Sequence, residues 1–244
     1  MITVMTYNVA NGLVRPEALT ALLRDSGADI VGLQEVAADQ AAAIEATLAD
    51  AYPHRFLLPL GIPGKGLLSK LPLLDVEPLP FYPRRPDLRA RVVVAGTPTT
   101  VIVAHPPPPR FRHRLTPDEA TRRQVASLIA AATAGGPAVL MGDFNAIAWT
   151  ATYRRIAAAG LADAFRAAGR GTGVTLPKRL ARWADGRNPL GKLPLPAVLR
   201  VDYVWVTGEV RPLAVWVGPH AGSDHLPVLA RLAIDGAGGE PPER

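Results

Sequence analysis

The sequence predicts an α/β fold in which two β-sheets pack face to face and helices cover their outer faces. Three observations carry that prediction. The chain opens as strand, helix, strand, helix; its middle breaks into short apolar runs punctuated by Gly and Pro; and helical periodicity returns before three closing strands. Two packed sheets flanked by helices accommodate this number of elements.

The elements follow in order. "ITVMTYNV" reads as an apolar-rich strand. Pro16 suits a helix start, and the spacing of Leu19, Leu22 and Leu23 predicts a short helix that ends before Gly27. A second buried strand, "ADIVGLQEV", precedes an alanine-rich helix reaching about residue 51. "HRFLLPL", "GKGLLSK", "LLDVEPLP", "RARVVVAG" and "TTVIVAH" are strand-like, with "AGTPTT" as a hairpin turn between the last two. In "TPDEATRRQVASLIAAATAGG", Thr116 serves as cap, Pro117 as first helical residue and Glu119 as the end of a capping box. The strand in "VLMGDFNAI" leads to helical "WTATYRRIAAAGLADAFRAAG" and an irregular stretch over 170–199. "RVDYVWV", "VRPLAVWV" and "HLPVLARLAI" close the fold.

Composition narrows the chemistry. With 244 residues, 48% of them hydrophobic, the chain can bury one large core, so one domain is expected over 1–235, with a disordered tail over 236–244. "MITVMTYNVA" has no leader pattern, and no apolar run nears the roughly 20 residues that cross a bilayer, so a soluble, cytoplasmic protein without an integral membrane segment is expected. Zero cysteines exclude thiolate metal sites. Oxygen and imidazole ligands remain, which favours a hard cation such as magnesium. A net charge of +6 attracts phosphate-rich partners: nucleic acid, phospholipid or small phosphoesters. Arginine and alanine enrichment can also reflect codon composition.

Polar residues gather where strands end: Asn8, Gln34 and Glu35, His105, Asp143 and Asn145, Asp202, and Asp224 and His225 before the last strand. Each alone has an ordinary reading as a turn amide, a helix-entry acid or a structural hydrogen bond. Together, at strand ends that can converge on one edge, they read as a site. Their carboxylate and carboxamide oxygens suit magnesium or manganese better than zinc. An acid and an amide two residues apart on an extended segment point the same way, so Asp143 and Asn145 could grip one water and one phosphate.

The segments "TYNVANG", "DIVGLQEV", "GKGLLSK", "VIVAHPPPP", "RRQVASLI", "GDFNA", "RVDYVWV" and "GSDHLPV" together resemble the endonuclease/exonuclease/phosphatase superfamily of metal-dependent phosphoesterases. The resemblance runs in family order over 5–228 and implies a four-layer α/β/β/α sandwich, with the active site at one edge of two mixed sheets. By match, it implies that Glu35 is the main ligand of Mg2+, or of Mn2+, with Asn8 and Asp224 contributing directly or through water. Asp143 would orient or deprotonate the attacking water, and Asn145 would help hold it with a phosphate oxygen. His225, paired with Asp202, would act on the scissile phosphate as base or electrostatic stabiliser. His105 would contact the phosphate or protonate the leaving oxygen. Two departures stand out: Ala10 occupies the place where several family nucleases carry an acid, and "HPPPP" replaces the commoner His-Leu pattern, resembling a partly membrane-anchored bacterial subgroup.

Substrate choice should lie in loops. "PRFRHR" places Arg110, Arg112 and Arg114 just beyond His105, and Lys178, Arg179 and Arg182 accompany Trp183 ahead of Asp202. Basic residues with an interleaved aromatic can hold a phosphate backbone and stack a base, so DNA or RNA is the first candidate substrate. The leading expectation is a magnesium-dependent nuclease or phosphodiesterase using in-line attack by an activated water. Alternatives are an enzyme for a lipid-linked, sugar or other small phosphoester, and a catalytically silent binding protein. The sequence leaves the oligomeric state open.

Overall fold

The computed structural model describes residues 1–108, 117–176 and 196–234. The expected disordered tail, Thr116 and the basic residues Arg110, Arg112, Arg114, Lys178, Arg179, Arg182 and Trp183 lie outside them. The first strands are β1 (Ile2–Asn8), β2 (Ile30–Gln34), β3 (His54–Leu58), β4 (Lys65–Ser69), β5 (Leu74–Leu79) and β6 (Asp87–Val94). The later ones are β7 (Thr97–Ala104), β8 (Ala138–Asp143), β9 (Ala162–Asp163), β10 (Asp202–Val206), β11 (Val210–Val217) and β12 (Val228–Ile234). The helices are α1 (Pro16–Asp25), α2 (Ala38–Thr47), α3 (Glu119–Ala132), α4 (Ala151–Ala158) and α5 (Ala164–Ala168).

The strands form two six-stranded sheets, ordered β11-β12-β1-β2-β4-β3 and β5-β6-β7-β8-β10-β9. Each sheet has one central parallel pair, β1 with β2 and β7 with β8, among otherwise antiparallel neighbours. Strand alternation separates the layers. Val4, Ile30 and Leu67 face Val103, Val139 and Met141 in one cluster between the sheets. Their neighbours Met5, Val31 and Leu68 pack with Leu19 and Leu23 of α1 and Ile44 of α2. On the other side, Ile102 and Leu140 pack with Val125 and Leu128 of α3 and Ile156 of α4. This is the α/β/β/α sandwich, and its period-2 burial is what two covered sheet faces require.

Three local expectations need correction. Asp118, not Thr116, caps α3: its carboxylate accepts from Thr121 N–H at 2.8 Å, and Pro117 precedes the helix. Asp118 directly precedes the first helical residue, where a carboxylate reaches the N–H three positions on. The helix expected through residue 51 stops at Thr47, where Leu48 leaves helical geometry as the C-cap (φ −114, ψ 17). The single helix expected over 149–169 is divided at Gly160 (φ 88), and the short strand β9 follows.

Candidate active site

The parallel pairs decide where the site forms, because both end at the same edge. β1 and β2 run in register, with Asn8 opposite Gln34. Just beyond, Ala10, Asn11 and Glu35 take left-handed backbone (φ 55, 46 and 60), which non-glycine residues adopt rarely. Hydrogen bonds hold this turn: Asn11 N–H to Glu35 O and Glu35 N–H to Gly64 O, both at 2.9 Å. The buried Glu35 carboxylate thereby meets Asn8, whose Nδ2 donates to Glu35 Oε1 at 3.3 Å and to Asp143 Oδ2 at 3.0 Å. Asn8 Oδ1 accepts from Ala10 N–H at 2.9 Å. One amide thus bridges carboxylates from opposite sheets.

The second sheet supplies His105 after β7 and Asp143 at the end of β8. Gly142 pairs with Ala104, and a Cβ built on it would sit 1.9 Å from the Ala104 carbonyl oxygen. Asn145 is not extended as its spacing suggested; it is left-handed (φ 48). The physical reason is a turn in which Asp143 Oδ1 accepts the Asn145 N–H at 2.9 Å. The two side chains still converge, with Asn145 Nδ2 3.4 Å from Asp143 Oδ2 and donating to Pro106 O at 3.0 Å. Phe144 anchors the turn edge-on against Tyr203 and Trp205, at 6.1 and 6.4 Å between ring centres.

Asp202 lies directly across from Asp143 on β10. His225 Nδ1 is 2.9 Å from Asp202 Oδ2, and its Nε2 is 3.7 Å from Asp143 Oδ2. Ser223 fixes this loop: its hydroxyl donates to Asn8 O at 2.7 Å and accepts from His225 N–H at 3.0 Å. Asp224 is buried beside them, with its Oδ1 3.4 Å from the same hydroxyl oxygen. Asn8, Glu35, His105, Asp143, Asp202, Asp224 and His225 therefore lie in one buried cluster at the sheet edge with half-buried Asn145 beside it, whereas the Gln34 side chain bonds to Thr6 and Gly32.

Burial alone would push His225 down, but the charges of Asp202 and Asp143 outweigh it and lift the imidazole to about 10. Burial favours a neutral Asp143, yet His225 and His105 hold it well below the usual carboxylate range. Burial raises Asp202, opposed chiefly by His225. The consistent state at neutral pH is an imidazolium between two carboxylates. A raised histidine stabilises the fold fully below its unfolded value of 6.5, and that contribution is lost as pH rises through about 10. Lys65 runs the other way, because burial lowers it from 10.5 to about 8. Asp202→Asn, which leaves the groups around Lys65 intact, should therefore flatten the fall in thermal midpoint between about pH 6.5 and 8, below the range in which Lys65 opposes it. An unchanged slope in a melting series would contradict the pairing.

The sequence reading missed Lys65, Arg85 and Asp87. Lys65 is fully buried at the start of β4, donates to Pro63 O at 3.0 Å, and feels Asp87, Glu35 and Asp143. Asp87, buried at the start of β6, accepts from His105 N–H at 2.9 Å and Gln124 Nε2 at 2.8 Å. Burial raises Asp87, and Lys65 from the opposite sheet is the main opposing charge. Only the lysine inside "GKGLLSK", an odd residue for a buried strand, offered a signal.

Asp143, Asp202 and His225 present possible ligand atoms all within 4.8 Å of one another. Buried His105 Nε2, His225 Nε2 and Asp202 Oδ1 have no aligned hydrogen-bond partner among the described residues. Such oxygen and imidazole donors fit a divalent ion with a bound oxyanion. Among the described residues, no helix is long and apolar enough to cross a membrane.

Known structures share this fold. The structure is similar to that of D. rerio TDP2 complexed with single strand DNA product (TM-score 0.74, 16% identity, 95% of this chain and 98% of that one). It is also similar to a functionally unknown conserved protein from Enterococcus faecalis V583 (TM-score 0.73, 19% identity, 96% and 100%). A third similar structure is the 3' phosphatase NExo from Neisseria, bound to product DNA hairpin (TM-score 0.68, 23% identity, 96% and 100%). At these identities the likeness establishes the fold. No curated protein matches in sequence. The model of the Endonuclease/Exonuclease/phosphatase family, however, matches residues 5–225, from the strand that carries Asn8 to the histidine that closes the site. The chain belongs to that family of hydrolytic phosphoesterases.

Proposed function

We propose that the protein is a magnesium-dependent phosphoester hydrolase, acting first as a nuclease or phosphodiesterase through in-line attack of an activated water. The observation that carries this reading is the Asn8 amide joining Glu35 and Asp143 across the sheets, beside an imidazolium held by Asp202. Glu35 would be the main ligand of Mg2+, or Mn2+, with Asn8 and Asp224 at its side. His225 is less suited to ligate, because a protonated imidazole has no free lone pair. The ion, when bound, would supply positive charge against the phosphate oxygens.

The remaining work belongs to this chain's residues. Asp143, ionised and acceptor-only, orients the attacking water and takes its proton. Asn145 Nδ2 donates to the water or a phosphate oxygen. His225 Nε2 and His105 contribute donors toward the charge that grows on the phosphate. Arg110, Arg112, Arg114, Lys178, Arg179, Arg182 and Trp183 are the residues proposed to hold a nucleic-acid strand.

A second reading, a lipid-linked or other amphiphilic phosphoester, has one observation in its favour. Leu60, Ile62, Trp149 and Val198 are 55%, 47%, 72% and 63% exposed, on loops that adjoin Glu35, Asn145 and Asp202 in sequence or by hydrogen bonding. A substrate panel separates the readings: supercoiled plasmid, abasic duplex, single strands, a lipid diphosphate and simple diesters, with and without magnesium. Plasmid nicking that requires the ion and disappears in Asp143→Ala is the expected result. Intact plasmid with turnover of the lipid would overturn the nuclease reading. Turnover without a divalent ion would overturn the mechanism.

A further inference from the structure

We propose that Arg85 is a positioning residue for His105: it holds the neutral imidazole in the tautomer that carries its proton on Nε2, so that a fixed donor faces the phosphate. The identity of the acceptor rests on the phosphoester-hydrolase reading; the tautomer rests on geometry alone.

Arg85 Nη2 lies 3.4 Å from His105 Nδ1. A guanidinium has five N–H donors and no acceptor, so this contact is a hydrogen bond only if Nδ1 offers its lone pair. The ring proton of a neutral imidazole then sits on Nε2. The opposite side of the ring asks for the same arrangement. Nε2 points between two carboxylates, 3.4 Å from Asp143 Oδ2 and 3.7 Å from Glu35 Oε1, without an aligned hydrogen bond to either. The other tautomer would set one N–H against another at Arg85 and a lone pair against two anions.

Both partners are held from behind. The His105 backbone N–H donates to Asp87, which Gln124 braces from α3. Arg85 follows a turn closed by its own N–H to Tyr82 O at 3.2 Å and precedes Pro86, so its backbone is restricted. The guanidinium is half-buried, and its Nε is buried with no partner among the described residues. A neutral Nε2–H gives the phosphate a donor that needs no reorganisation and stays in place as charge develops.

The test reads the tautomer directly. In 15N-labelled protein without substrate, near neutral pH, multiple-bond 1H–15N correlation spectra should show His105 with unprotonated Nδ1 and protonated Nε2. Arg85→Met should shift the ring toward the Nδ1–H form, whereas Arg85→Lys, which keeps a donor, should preserve Nε2–H. By analogy with other residues that orient a histidine, Arg85→Met should lower kcat by about 10- to 100-fold, with partial recovery in Arg85→Lys. An Nδ1–H or doubly protonated ring in the native protein would overturn the proposal. So would a ring state unaffected by Arg85→Met. The spectra need no turnover: the stated tautomer in a protein that hydrolyses no phosphoester would support the Arg85 assignment and overturn the hydrolase reading alone.

Discussion

Asp143→Asn should lower turnover of any phosphoester substrate by about 10³-fold or more, the scale on which a group that handles the attacking water acts. The amide keeps the shape of the side chain and can still meet Asn8, but it replaces an acceptor-only oxygen with a donor. It also removes one of the two carboxylates that keep His225 protonated. The fold should survive, since β8 remains paired on both sides with β7 and β10. Steady-state kinetics beside a thermal melt checks this, and near-normal turnover in the folded variant would remove Asp143 from the mechanism. Glu35→Gln should differ in kind, raising the magnesium concentration needed for half-maximal activity.

Gly142→Ala should cost about 3 kcal/mol or more of stability, through overpacking and backbone strain together. The backbone at Gly142 has φ 153, and an added Cβ would meet the Ala104 carbonyl at 1.9 Å. That carbonyl belongs to the neighbouring strand of the parallel pair, so relief would require β7 and β8 to separate where His105 and Asp143 leave them. Chemical denaturation should give a lower midpoint, and whatever fraction folds should also lose activity. A melt within about 0.5 kcal/mol of the native protein, the usual range for a harmless substitution, would contradict this account.

The "GDFN" stretch illustrates how much of the site was legible beforehand. Its apolar approach and the paired acid and amide marked a strand end with chemistry on it, and the structure brings both side chains together. The route was not legible: Asn145 reaches Asp143 through a left-handed turn, which a spacing rule for extended chain cannot anticipate. Gly142 makes room for the backbone of the adjacent strand, a close approach that only the paired strands reveal. The division between α4 and α5 escaped the periodicity because alanine is common on both sides of Gly160 and suits helix throughout.

What the sequence by itself determined is the alternation of apolar faces, hence two covered sheets with helices outside, and the family motifs at the strand ends. These signals are local and periodic, so they survive in a string of letters. The tertiary structure alone decided that Lys65 of one sheet opposes Asp87 of the other, that Asp87 holds His105, and that Arg85 reaches its ring. Those contacts join residues 18 to 22 positions apart. Their energetics depend on burial at the sheet edge, which no single segment specifies, because charge interactions strengthen only once the packed sheets have excluded water.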